Sequence, residues 1–160
     1  MLWVTRAGGN VDRVACPWLI KKFIDKDAQF LYVPAEKVLE TAQLLGAHSY
    51  DAKGAEYTHQ HLPEGEICSF VTLMRAFDLW GKDPALDMLG KAVNHADTSP
   101  KTTAYTTPEG EGLEAIARGF AILTTDDHQK LEWEFPMYDA LYAFFQRRAA
   151  QGAVPQATAR

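Results

Sequence analysis

Leu2-Trp3-Val4-Thr5-Arg6, Gly8-Gly9 and then Val11-Asp12-Arg13-Val14-Ala15-Cys16-Pro17-Trp18-Leu19-Ile20 read as a short strand, a glycine turn and an amphipathic helix. Apolar residues at 11, 14, 15, 18, 19 and 23 keep the i, i+3, i+4 spacing of one helical face. Asp12 is placed to serve as N-cap, its carboxylate accepting from orphan amides and favoured by the helix dipole. Pro17 works against a helix that begins so early, because inside a helix it clashes with the carbonyl four residues back. The helix therefore starts either at Asp12 or near Cys16, with Asp12 and Arg13 on a turn before it. Both versions bring Arg6, Asp12 and Arg13 together at the mouth of one element.

Working outward, Ala28 to Val33 is a short β-like run that ends at Pro34. Pro34 to Leu45 reads as a helix with Val38, Leu39, Ala42 and Leu45 on one face and Gly46 as its stop. Ala47–Tyr50 and Glu56–Gln60 are brief extended pieces separated by Lys53-Gly54. Helical period returns over Cys68–Leu79 and Pro84–His95, Pro84 suiting a first turn. Thr98 to Thr107 is a polar loop, and Thr107-Pro108-Glu109 opens a helix that runs to about Leu123. Thr124-Thr125-Asp126-Asp127 caps another helix, which Pro136 breaks before Met137–Arg148 resumes. The expected fold is a single compact α+β domain, mainly helical with a few short strands, over residues 1–150. Residues 151–160 are expected to form a disordered tail.

A chain of 160 residues, 47% hydrophobic and 23% charged, is long enough to bury a core of its own. Its net charge of −5 disfavours nucleic acid and anionic membranes, which need clustered Lys and Arg. No apolar run reaches the ~20 residues of a membrane span, and the N-terminus lacks a signal-peptide pattern. Two cysteines, Cys16 and Cys68, suggest no disulfide framework. A cytoplasmic protein is the expectation.

Several side chains can carry chemistry. Arg6 and Arg13 with Asp12 form a candidate oxyanion or substrate-binding group, two guanidiniums near a helix start being suited to bidentate anion contacts. The plainer alternative is a salt bridge in which Asp12 holds the arginines. His59 and His61, two apart, would share one face of a strand and one metal, or lie exposed on a hairpin. Asp126-Asp127-His128 suits a helix start for structural reasons alone. It also offers His128, with Asp127 or with Glu132 at i+4, to a metal. Cys68 at a helix start is either a small buried residue or a redox thiol with lowered pKa.

Trp3-x-Thr5-Arg6, Val11-Asp12-Arg13-x-Ala15 and Trp18-Leu19-Ile20-x-x-Phe23-Ile24-Asp25 resemble the opening of the C-terminal domain of the bacterial chromate-resistance protein ChrB. The resemblance continues through Asp51, Gly54-Ala55, His59, Cys68-Ser69-Phe70, Asp83-Pro84-Ala85-Leu86, Ala96-Asp97-Thr98, Asp126-Asp127-His128 and Tyr138-Asp139-Ala140-Leu141-Tyr142. It implies an association with chromate or oxidative stress and leaves room for metal binding. Among the histidines it supports His59 and His128, not His61 or His95. Relatives usually carry an acid where this chain has Val71.

On these grounds His59, His128, Asp97 and Asp127 are the expected metal ligands, converging on one polar cavity. A mixed nitrogen and oxygen set suits Zn²⁺, Mn²⁺ or Fe²⁺ without selecting among them. Three functions remain open. The chain is a small metal-binding protein or metal-dependent enzyme of chromate and oxidative-stress resistance, a non-catalytic sensor of an oxyanion or metal, or an oligomeric interaction module. Its expected partner is a small anion or other small molecule, and a homo-oligomer would use the aromatic stripe of the last helix. Long family members carry an N-terminal regulatory segment that this chain does not show, so DNA binding is not expected.

Overall fold

The computed structural model describes residues 1–98 and 102–153. Strand β1 (Leu2–Arg6) pairs in parallel with β2 (Gln29–Val33) on one side and β3 (His48–Ser49) on the other. Parallel neighbours need crossovers. The first is helix α1 (Asp12–Leu19), which runs on into a π-helical turn over Ile20–Ile24. The second is α2 (Val38–Leu45), entered through a 3₁₀ turn over Ala35–Lys37 and closed by Gly46 at φ +60°.

The strand alternation sorts side chains between two cores. Trp3 and Phe30 enter the main core with Val14, Trp18 and Leu19 of α1. Val4, joined by Leu31 and Val33, packs with Val38 and Ala42 of α2. The sheet is therefore covered on both faces, as short parallel strands require. The first crossover carries the chain from central β1 to β2 on one side, and the second carries it from β2 back past β1 to β3, so the chain reverses direction across the sheet at the β1–β3 pair. The crevice beyond the carboxyl ends of strands at such a switch is where open α/β sheets bind ligands.

A small antiparallel hairpin follows, β4 (Gln60–Leu62) with β5 (Gly65–Ile67), in the register His61↔Glu66. Helices α3 (Ser69–Ala76), α4 (Pro84–Asp97), α5 (Pro108–Leu123) and α6 (Asp127–Ala153) complete the domain. Asp83 caps α4 through the Ala85 amide, and Thr107 caps α5 through that of Gly110. α4 packs on both α5 and α6, and α1 rests on α6. The mainly helical α+β domain expected from the sequence is what forms, with no strand among the described residues longer than five.

Two prolines are accommodated where the sequence suggested breaks. α1 begins at Asp12 despite Pro17. Proline leaves the carbonyl of Arg13 without its helical donor, and the Tyr32 hydroxyl supplies one at 3.1 Å. α6 likewise runs unbroken through Pro136, an exposed residue of that helix. Asp12 is not the N-cap of α1. Val11 holds that position, and no side chain caps the helix. The expected disordered tail lies outside the described residues from 154 onward, and α6 itself extends to Ala153.

Candidate metal centre

Four side chains meet at the switch point. Asp12 stands in the first turn of α1, just past the glycine turn that ends β1. Asp51 follows β3 by two residues, His59 immediately precedes β4, and Asp97 is the last residue of α4. One ligand atom from each lies within 4.8 Å of those of the others. His59 Nε2 is 2.9 Å from Asp97 Oδ2 and 3.4 Å from both Asp12 Oδ2 and Asp51 Oδ1. Asp51 reaches the cluster from a left-handed backbone, φ +45°. That conformation is uncommon outside glycine, though aspartate tolerates it better than most. Strain of this kind is retained where surrounding structure holds it in place.

The cluster is braced from below. Ser69, at the start of α3, donates its backbone N–H to Asp12 Oδ2 at 2.6 Å and its hydroxyl to Asp51 Oδ1 at 3.0 Å. The Asp12 amide donates to Asp97 Oδ1 at 3.1 Å. Arg13 Nη1 lies 3.2 Å from Asp51 Oδ2, and Arg6 Nε donates to the Asp51 carbonyl at 3.0 Å. Asn94 accepts from the Cys68 amide at 2.7 Å and donates to the Glu66 carbonyl at 3.1 Å, tying α4 to the hairpin. Glu66 in turn places Oε1 2.8 Å from His59 Nδ1.

Burial pushes Asp12 up to about 7, helped by the charges of Asp97 and Asp51 and opposed by the hydrogen bond to His59. At His59 burial works against the charged form. The hydrogen bonds to Asp12, Asp51 and Asp97 outweigh it and lift the imidazole well above the usual histidine range. The imidazolium thus supplies the positive charge that three crowded aspartates demand. Asp12 Oδ1 is buried with no hydrogen-bond partner. A buried acceptor left open costs about 1–3 kcal/mol. The donor set and this open oxygen fit a cation.

Of the ligands expected from sequence, His59 and Asp97 come together, while Asp127 and His128 stay away. Asp126 caps α6, accepting from the amides of His128 at 2.9 Å and Gln129 at 3.1 Å. That arrangement turns the next residue, Asp127, onto the glycine turn, where it accepts from the Gly8 and Gly9 amides at 2.9 and 2.6 Å. His128 is exposed, its ring edge-on to Tyr32 at 5.2 Å. Glu132 and His61 are also exposed, and buried His95 holds Thr107. Arg6 and Arg13 do share a partner, but it is Asp51 and not Asp12. The Cys68 thiol is pushed up by burial and then by Asp12 and Asp97, so it is no poised thiolate. Asp51, Glu66 and Ser69 are the members that sequence reasoning missed. Asp51 and Ser69 did stand in stretches that resembled the family.

Among the described residues no helix is long and apolar enough to cross a membrane. Fold and site together define an α+β domain with a histidine–aspartate cluster at the switch point of a small parallel sheet. The sequence matches the family described as ChrB, C-terminal domain, over residues 3–145, and the chain belongs to that family. It is 34% identical over 143 residues to Protein ChrB of Cupriavidus metallidurans, covering 89% of this chain and 40% of that protein. The chain thus spans well under half the length of this relative. No solved structure matches it.

Proposed function

We propose that this domain binds a divalent metal ion through Asp12, Asp51, His59 and Asp97, and that it does so in the service of chromate resistance in the cytoplasm. The observation that carries the reading is the gathering of the four ligand atoms within 4.8 Å, with the buried Asp12 Oδ1 left open. Three carboxylates and one imidazole are an oxygen-rich set, better suited to Mn²⁺ or Fe²⁺ than to the sulfur-loving ions. Binding requires His59 to give up its proton and Asp12 to ionise, so uptake of metal releases protons. Glu66 behind His59 is the outer carboxylate that commonly fixes the tautomer and orientation of a ligating imidazole. Family membership connects the domain with chromate; the ion-binding role rests on the cluster.

The test is metal analysis of protein purified without an affinity tag, followed by Mn²⁺ titration of the metal-free chain. Stoichiometric binding that raises thermal stability, lost in His59→Ala and in Asp97→Ala but kept in His128→Ala, is the expected result. Metal-free protein that neither binds Mn²⁺ nor gains stability from Mn²⁺ or Fe²⁺ would overturn the reading.

A further inference from the structure

The metal centre is partly open to solvent. Asp12 and Asp51 are buried, whereas the side chains of His59 and Asp97 are 27% and 14% exposed. Beside Asp51 and His59 lies a cavity of about 230 Å³ lined by these two and by Arg6, Ala52, Lys53 and Thr58. This is several times the ~30 Å³ share of one water molecule. Two cations stand at its rim. Arg6 is 46% exposed, and its Nη2 is 3.8 Å from Asp51 Oδ2, too far for a hydrogen bond, so the guanidinium fork keeps donors for the cavity. Lys53 is exposed and forms no ion pair among the described residues. Arg13 is held against Asp51 on the protein side.

We propose that this cavity binds a small oxyanion that completes the coordination of the metal ion and is clamped by Arg6 and Lys53. The inference rests on the metal-binding reading and deepens it. Charge balance favours it: the neighbourhood of the site holds the carboxylates of Asp12, Asp51, Glu66 and Asp97 and the cations of Arg6, Arg13 and Lys53. A divalent ion added to these four carboxylates and three cations brings their sum to one net positive charge. Mn²⁺ and Fe²⁺ take more ligands than the four side chains provide, and two of the four, Asp51 and His59, line the cavity. In the metal-free state the same opening presents an imidazole Nε2 already engaged by aspartates. Anion binding is therefore coupled to metal binding.

The experiment measures Mn²⁺ affinity calorimetrically at buffered free metal, with and without inorganic phosphate as probe. It compares the parent, Lys53→Gln and Arg6→Gln/Lys53→Gln. Phosphate should tighten Mn²⁺ binding about tenfold in the parent. The gain should fall in Lys53→Gln and vanish in the double variant, while Lys53→Gln binds Mn²⁺ alone as the parent does. Mn²⁺ binding that phosphate leaves unchanged would overturn the anion site and spare the metal site. Phosphate binding of equal strength to metal-free protein would overturn the coupling. Absence of Mn²⁺ binding in the parent would overturn the metal reading itself.

Discussion

Glu66 Oε1 lies 2.8 Å from Nδ1 of His59, and this contact turns the opposite ring nitrogen toward Asp12, Asp51 and Asp97. The hairpin makes it possible. His59 enters β4 and Glu66 sits on β5, directly across the ladder from His61. Thr102 Oγ1 donates to the other Glu66 oxygen at 2.9 Å, so the carboxylate cannot swing away freely. Glu66→Gln should weaken Mn²⁺ binding by about 10–100-fold, the usual effect of losing an outer carboxylate behind a ligating histidine. Titration calorimetry of the folded variant checks this. Affinity equal to that of the parent would leave Glu66 a hairpin contact only.

Asp127→Ala should destabilise the domain by about 3–5 kcal/mol, because it strips the Gly8 and Gly9 amides and leaves Lys130 buried without its acid. Urea denaturation reads the loss. His128→Ala next door should cost less than about 1 kcal/mol, since the ring is exposed and meets Tyr32 edge-on. Comparable losses for the two variants would contradict this division of roles.

Two glycines of α5 should respond in opposite directions. A methyl group at Gly110 would overlap the His95 ring, whereas Gly112 faces open space. Gly110→Ala should therefore cost about 1–3 kcal/mol through overpacking. Gly112→Ala should gain about 0.5–1 kcal/mol from the lower backbone entropy of the unfolded chain. Thermal melts of the pair decide the matter.

Glu134 in α6 should make stability fall toward alkaline pH. It is 1% exposed, and its Oε1 has no partner. Burial raises its pKa from 4.5 to about 7, against the opposing charge of Lys130. A folded pKa above the unfolded one means that the proton stabilises the native state. That contribution is complete below pH 4.5 and is lost as pH rises through about 7. Glu134→Gln should equal the parent near pH 5 and exceed it at pH 8 by on the order of 2 kcal/mol. Parallel pH dependence of parent and variant would assign the effect elsewhere.

The helices were legible because their apolar period and caps are local: Asp83-Pro84 and Thr107-Pro108 open α4 and α5 at the expected residues. β1 and β2 were legible for the same reason, while β5 was not, since three residues carry little pattern. The site was harder. His59 and Asp97 could be named from the family-like stretches, but nothing local says which of two adjacent acids, Asp126 or Asp127, caps α6. That choice decides where Asp127 points, and with it whether His128 could approach a metal. Asp51 depends on a left-handed turn after a two-residue strand, a conformation that only long-range packing selects. Asp12 looked like a cap because a carboxylate at a helix start usually is one. Here the neighbouring Ser69 amide claims it instead.

The Asp127 clasp joins Gly8 and Gly9 to the start of α6 across 119 and 118 residues, and Lys130 returns a 3.0 Å bond to the Gly9 carbonyl. The first strand and the last helix are therefore fastened at one point, and neither can detach without breaking the other's hydrogen bonds. Amide exchange in β1 and in the first turns of α6 should be governed by a single opening event close to global unfolding, with no separate fraying of the last helix at that end.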